Sequence, residues 1–247
     1  QAATSYQAND ILGIQYLRAI KKLASPIKAQ TIGRLHSEYR STKIDHDTIA
    51  SATAIRNELL MTKSSSQIER LVPEASLTTL KQALAEGQIN NWDNYYRTIQ
   101  IMLTSYSPEL LATIAGMDEG LENRLQALVL HAESFDELVS LSVSRRYTAT
   151  KIKRTLLNLL LNLTKDLHAK LELDQGPKYI RVLGFTAQGQ AYLNAIKGEL
   201  ELPIITNIPR DRSLMLELDL KANSIYNIGI NRLDAANGFK DKPIIIA

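Results

Sequence analysis

Hydrophobic residues near the amino end of the chain alternate between a helical and an extended pattern. Apolar positions within residues 11–23 recur every three to four residues, which predicts an amphipathic helix that ends before Pro26. Residues 28–35 predict a strand, and a polar connector follows. A second helix is predicted to begin at Ser51 or Thr53. This alternation is typical of an α/β fold.

Helical periodicity dominates the middle of the chain, from residue 64 to about residue 173. The connectors between the predicted helices are short and contain proline or glycine, as expected for helices that pack against one another. The predicted helices span residues 66–72, 77–86, 92–105, 108–115, 121–131, 135–143 and 149–171. This region therefore predicts a helical domain.

The pattern changes again from residue 175 onward, where short strands and helices predict a small α/β module. The predicted strands span residues 179–183, 204–206 and 243–247, and the predicted helices span residues 188–196 and 214–226. The fold class expected for the whole chain is α/β plus mainly α. The expected domains are residues 1–62, 63–174 and 175–247.

Composition excludes several classes of protein. Hydrophobic residues make up 45% of the 247 positions and charged residues 22%, which is typical of a folded globular protein. The longest apolar run is interrupted by Asn158 and Asn162, and it is shorter than the roughly 20 apolar residues that span a bilayer. There is no cysteine, which excludes disulfides and thiolate metal sites and fits a cytoplasmic protein. The net charge of +3 is compatible with a polyanionic partner.

The segment from Ile49 to Arg56 has the features of an anion site. The hydroxyls of Ser51 and Thr53 lie where a helix begins, beside backbone N–H groups that have no partner within the helix. Arg56 follows Thr53 by nearly one helical turn and can face the same anion. An ordinary capped helix with a solvent-facing arginine explains the same pattern, so both interpretations stay open at this point.

A second candidate is the basic block RRYTATKIKR. Its five basic residues are Arg145, Arg146, Lys151, Lys153 and Arg154. Basic side chains at a helix start oppose the helix dipole unless an anion such as RNA phosphate is bound there. Tyr147 could stack on a base, and Thr148 and Thr150 could cap the helix that follows. The alternative is a solvated basic face that pairs with acidic residues such as Asp136 and Glu137.

Four separated blocks resemble one protein family in sequence and order. They are NDILGIQYLRAI from Asn9, IASATAIR from Ile49, MDEGLENRL from Met117 and RRYTATKIKRTLLNLLL from Arg145. The second block resembles the ISSTxIR-type signature of HIGH-type nucleotidyltransferases. Together the blocks resemble the tRNA(Met) cytidine acetate ligase family over nearly the whole chain.

This resemblance implies an enzyme that activates acetate with ATP and then acetylates the wobble cytidine of elongator tRNA(Met). It implies that residues 1–62 form the C-terminal part of a Rossmann-like nucleotidyltransferase domain and that ATP and Mg²⁺ are the cofactors. The residues expected to bind ATP are Asn9, Arg34, Ser51, Thr53 and Arg56. The basic block is expected to contact tRNA. Taken alone, Asn9 is typical of a helix cap and Arg34 of a surface arginine.

The sequence departs from the family pattern in two places. It lacks the HxGH element, because His36, His46, His131 and His168 have no second histidine at that spacing. The catalytic residues therefore stay unassigned, and we expect the natural protein to continue upstream of Gln1 and this chain by itself to be inactive. Residues 39–41 are Tyr-Arg-Ser where the family often has Tyr-His-Asp, so this loop receives no role.

Other functional interpretations stay open. They are a nucleotidyltransferase with another acid or acceptor, a non-catalytic RNA-binding module, and a structural helical scaffold. The sequence predicts no metal site made of protein ligands and no membrane partner, and it leaves the oligomeric state open.

Overall fold

The computed structural model describes residues 8–33, 44, 49–230 and 242–246 of the chain. The chain divides into two compact units. The first unit comprises residues 1–61 and 66–73, and the second unit comprises residues 62–65 and 74–247. The helices are α1 (Ala8–Lys22), α2 (Ala52–Thr62), α3 (Glu74–Ala85), α4 (Asp93–Ser105), α5 (Pro108–Ala112), α6 (Leu121–Val129), α7 (Phe135–Ser142), α8 (Ala149–Leu160), α9 (Lys165–Lys170), α10 (Ala187–Ile196) and α11 (Leu214–Gly229). The strands are β1 (Ile180–Arg181), β2 (Gly184–Thr186), β3 (Ile204–Ile205) and β4 (Ile244–Ile246).

The first unit confirms the two predicted helices, but the start of α1 and the predicted elements at residues 28–33 and 66–72 differ from the expectation. Asn9 lies inside the first turn of α1, which begins at Ala8, so it does not cap this helix. Residues 28–33 are not a strand, and the described part of this unit contains no strand with which they could pair. The predicted helix over residues 66–72 is a set of turns, in which the Leu71 N–H donates to the Ile68 carbonyl at 2.9 Å.

The core of the second unit is formed by α4, α6, α7 and α8, which contact one another. Its centre includes Phe135, Leu125 and Leu156, all fully buried. The Trp92 ring stacks on Phe135 with centroids 4.4 Å apart, so this tryptophan packs against the core. Burying each such side chain stabilises the fold by about 1.5–3 kcal/mol, which makes this bundle the main source of stability in the unit.

The predicted helix over residues 149–171 is divided into α8 and α9. Asn162 has a φ of 47° in the left-handed region, which ends α8, and the Thr164 hydroxyl caps α9 by accepting from the Leu167 N–H at 3.1 Å. The break allows the Lys165 N–H to donate to the Thr113 carbonyl at 2.8 Å. A continuous helix would leave no backbone donor for that contact.

The end of the second unit contains two small parallel sheets. β1 pairs with β3, and β2 pairs with β4. The predicted strand over residues 179–183 is shorter than expected, and the sequence pattern missed β2. At Gly184 an added Cβ would lie 3.0 Å from the Ile244 carbonyl oxygen, so close approach of the two strands requires glycine there. Among the described residues, each helix is too short or too polar to cross a bilayer.

Candidate nucleotide and RNA sites

Ser51 immediately precedes α2 and caps its first turn. Its Oγ accepts from the Ala54 N–H at 3.0 Å, and its carbonyl accepts from the Ile55 N–H at 3.1 Å. Ser51 is only 3% exposed, so the hydroxyl has a fixed position. Of the two helix starts that the sequence allowed, the structure selects Ser51, which places Thr53 inside the first turn.

The start of α2 retains the features of an anion site. The N–H groups of Ala52 and Thr53 have no partner among the described residues, and they lie at the positive end of the helix dipole. Thr53 is half-buried, whereas Arg56 is exposed. These groups can together bind a phosphate, since backbone donors and a guanidinium both favour anions.

Three of the five residues predicted to bind ATP lie within one short segment at the start of α2. Ser51, Thr53 and Arg56 share one end of α2, whereas Asn9 is an exposed residue of a different helix, α1. Arg34 lies outside the described residues. The role of all five side chains in nucleotide binding stays a prediction.

The basic block divides into paired and unpaired side chains. Lys153 lies 2.9 Å from an Asp136 oxygen, and Lys151 lies 3.9 Å from Asp118. The exposed side chains of the other three basic residues make no hydrogen bond or ion pair within the part of the chain that the structure describes. These three are Arg145, Arg146 and Arg154. The pairing that the alternative interpretation expected is thus present between Lys153 and Asp136, and contact of the block with RNA stays a prediction.

Tyr147 does not offer a stacking face, because it is 5% exposed. Its hydroxyl donates to the Glu119 carbonyl at 2.6 Å. Two side chains of α8 bind the same loop: the Thr155 hydroxyl donates to the Gly116 carbonyl at 3.3 Å and the Asn158 amide donates to the Ala115 carbonyl at 2.8 Å. The two blocks of the family resemblance in this unit are therefore adjacent in space.

Asp118 is a residue of this loop whose role the sequence did not indicate. It does not cap α6, which begins at Leu121 and has Gly120 as its N-cap residue, without a side-chain cap. The Asp118 carboxylate instead lies 3.1 Å from Lys165 and 3.9 Å from Lys151. Lys165 also donates to the Met117 carbonyl at 2.8 Å. The polar stripe at positions 147, 151, 155 and 158 of the sequence was the signal that one face of α8 binds polar groups.

A third polar group lies at the end of the second unit. One oxygen of Asp219, Oδ2, accepts from Arg181 at 2.9 Å and from the Tyr179 hydroxyl at 3.3 Å. Burial, and next the charge of Asp219, raises the pKa of the Tyr179 hydroxyl above its ordinary value, so this hydroxyl keeps its proton and donates at neutral pH. The sequence did not indicate this group, because Arg181 and Asp219 are 38 positions apart. In the described residues, no group of three His, Asp or Glu side chains is placed to hold a metal.

Known proteins resemble this chain over most of its length. A model of the family described as HIGH Nucleotidyl Transferase matches residues 1–241. The tRNA(Met) cytidine acetate ligases of Bacillus cereus (strain AH187) and Bacillus anthracis (strain CDC 684 / NRRL 3495) are each 36% identical over 222 residues, which cover 89% of this chain and 56% of the relative. The chain thus spans a little over half the length of these relatives.

Solved structures agree with the sequence comparison. Crystal structures of Thermotoga maritima TmcAL, one apo and one bound with alpha-thio ATP, match with TM-scores of 0.83 and 0.80. Each is 28% identical, and the match covers 97% of this chain and 60% of that one. The resemblance that the four sequence blocks predicted is confirmed, and the match shows a nucleotidyltransferase fold that is mostly helical with few parallel strands. The division into three domains stays a prediction.

Proposed function

The chain belongs to the HIGH nucleotidyl transferase family, and we propose that it serves an ATP-dependent ligase that acetylates the wobble cytidine of elongator tRNA(Met) to N4-acetylcytidine. The observation that carries this proposal is the 36% identity to tRNA(Met) cytidine acetate ligases over 89% of the chain. Because the proposed substrate is a tRNA, we propose that the protein acts in the cytoplasm.

The first proposed step is adenylation of acetate. A carboxylate oxygen of acetate attacks the α-phosphorus of ATP, forming acetyl-adenylate and releasing pyrophosphate. Negative charge develops on the phosphates, and fixed donors at that position lower the barrier. We assign this role to the start of α2, with the N–H groups of Ala52 and Thr53, the hydroxyls of Ser51 and Thr53, and Arg56. Asn9 and Arg34 are proposed contacts to the same nucleotide.

The binding of alpha-thio ATP by Thermotoga maritima TmcAL supports ATP as the nucleotide. Mg²⁺ is proposed to accompany the triphosphate as part of the substrate, because its charge offsets that of the phosphates. The second step transfers the acetyl group: the N4 amine of cytidine attacks the acetyl carbon, AMP leaves, and the amine loses a proton.

We propose that the basic block positions the tRNA for this step. Arg145, Arg146 and Arg154 are exposed and unpaired within the described residues, so their guanidinium groups can neutralise RNA phosphates. Lys151 and Lys153 are already paired with carboxylates, and their role in this proposal is to hold the loop and α7 against α8.

The test is acetyl transfer by the natural protein with ATP, Mg²⁺, isotope-labelled acetate and elongator tRNA(Met). We expect labelled N4-acetylcytidine after nuclease digestion and mass spectrometry. Arg56→Ala should lower its formation by about 100-fold or more, since removing one fixed donor to the charge of a transition state costs about that much. The matched control is Arg97→Ala, which removes an exposed helical arginine whose described contact is Gln100 of the same helix.

Acetylcytidine that forms equally in the wild type and the Arg56→Ala variant would remove the assigned phosphate role. Release of pyrophosphate stimulated by a different acid would favour a related nucleotidyltransferase with another acid or acceptor. Salt-dependent binding of tRNA without ATP binding or acetyl transfer would instead favour a non-catalytic RNA-binding module.

A further inference from the structure

A cleft of about 560 Å³ opens at the end of the second unit, where α8, β1 and α11 meet. Its volume lies in the range of about 300–1,000 Å³ that small-molecule sites occupy. Leu161, Met215, Leu218 and Ala222 form an apolar wall of the cleft. This wall is well supported, because Leu161 is a buried residue of a core cluster and the other three side chains pack against that cluster.

The polar side of the cleft is formed by Tyr179, Arg181 and Asp219. Both hydrogen bonds that Asp219 accepts go to Oδ2, from Arg181 at 2.9 Å and from Tyr179 at 3.3 Å. The other oxygen, Oδ1, has no hydrogen-bond partner among the residues that the structure describes. The Asp219 side chain is 43% exposed, whereas that of Arg181 is 16% exposed. The cleft therefore presents a fixed carboxylate with one free acceptor.

The charges in the cleft select the kind of ligand. An anion such as phosphate is repelled by the free Asp219 oxygen, and a metal cation is opposed by the Arg181 guanidinium 2.9 Å from the same carboxylate. A neutral group that donates a hydrogen bond from an N–H and has a flat apolar face fits both the Asp219 Oδ1 acceptor and the apolar wall. Unpaired nucleobases have this combination, and carboxylates accept hydrogen bonds from the N4 amine of cytosine.

We propose that this cleft binds an unpaired nucleobase that carries an exocyclic amine, with the amine donating to Asp219 Oδ1 and the ring lying against Met215, Leu218 and Ala222. The choice of RNA as the source of the base rests on the proposed function. Uracil fits less well, because its N3–H is flanked by two carbonyl oxygens that would face the carboxylate. The cleft is thus a base-selective contact, in addition to the phosphate contacts of the basic block.

The test compares fluorescein-labelled hexacytidylate and hexauridylate binding to the whole protein, measured by anisotropy at one salt concentration. We expect hexacytidylate to bind about tenfold more tightly, the magnitude of one good contact to a base edge. Asp219→Asn places an N–H donor beside the base and should bring the two affinities toward parity. Asp174→Asn makes the same change of charge at an exposed position, where the described contact is Gln175, and should preserve the preference.

A second variant, Ala222→Phe, fills the cleft while leaving Asp219 in place. It should weaken hexacytidylate binding more than hexauridylate binding, which a general loss of charge would not do. A cytosine preference that persists in both the Asp219→Asn and the Ala222→Phe variants overturns the inference. Equal binding of the two oligonucleotides by an unaltered protein that still acetylates tRNA also overturns it, and leaves the proposed function standing. A cytosine preference that depends on Asp219, without acetyl transfer, supports the cleft and removes the proposed function.

Discussion

Gly116 lies against Thr155 of α8 in the loop that precedes α6, and replacing it with alanine tests this packing. Its φ of +92° is in a region that L-residues rarely adopt. A Cβ added there would lie 2.6 Å from the Thr155 Oγ1, which is inside van der Waals contact. Thr155 is 1% exposed and donates its hydroxyl to the Gly116 carbonyl at 3.3 Å. The hydroxyl cannot move into solvent, so the loop or α8 must shift.

The expected loss of stability has two parts. The positive φ costs about 1–2 kcal/mol for alanine. The overlap with Thr155, together with loss of its hydrogen bond, costs about 2 kcal/mol more. Gly116→Ala should therefore lower the free energy of unfolding by about 3–4 kcal/mol. Gly87→Ala is the matched control, because Gly87 has a φ of +67° and nothing within 4 Å of an added Cβ, so it should lose only the about 1–2 kcal/mol of the backbone part.

Urea unfolding followed by circular dichroism measures both losses, and a double-mutant cycle separates them. In a Thr155→Ala background, Gly116→Ala no longer meets the hydroxyl, and its cost should fall to that of the Gly87→Ala control. The cycle should give a coupling of about 2 kcal/mol, as expected for residues in contact. If Gly116→Ala costs the same in both backgrounds, the contact with Thr155 does not limit the residue at this position.

Three further predictions concern the second unit. Asn94→Ala removes the 2.7 Å hydrogen bond from the Asn94 amide to the Gly229 carbonyl. It should lower the free energy of unfolding by about 1–2 kcal/mol and speed hydrogen exchange at the end of α11. Unchanged exchange there would contradict this prediction. Because the pKa of Tyr179 is raised, its stabilising contribution is complete below pH 10 and is lost as the pH rises through the folded-state pKa. Urea unfolding should therefore show that the Tyr179→Phe variant loses less stability above pH 10 than the wild type does. Parallel curves of stability against pH for the two proteins would refute this. Arg146→Ala should reduce the slope of log affinity for tRNA against log salt concentration by about 0.7–0.9. Lys153→Ala, which removes a cation already paired with Asp136, should reduce this slope less. Equal reductions would show that pairing with a carboxylate does not decide which cations contact tRNA.

The candidate site was predictable from the sequence where its geometry is local. The Ser51 hydroxyl accepts a hydrogen bond from the N–H of Ala54, three positions later, and Arg56 lies on the same helix. One short segment therefore defines the proposed phosphate contact. The separation of the basic block into paired and unpaired residues was not predictable. It depends on Asp118 and Asp136, which come from other elements of the bundle and lie beside α8 only after folding.

The sequence by itself determined most helices of this protein, together with the family to which it belongs. Apolar periodicity and caps such as Thr148 act within one or two turns of the chain, so they operate before any tertiary contact forms. Tertiary structure decided the burial of Tyr147, the break at Asn162 and the pairing of Arg181 with Asp219. Each of these depends on a partner that is far away along the chain. The energy of such a contact exists only when packing has brought both partners together, and no local pattern encodes it.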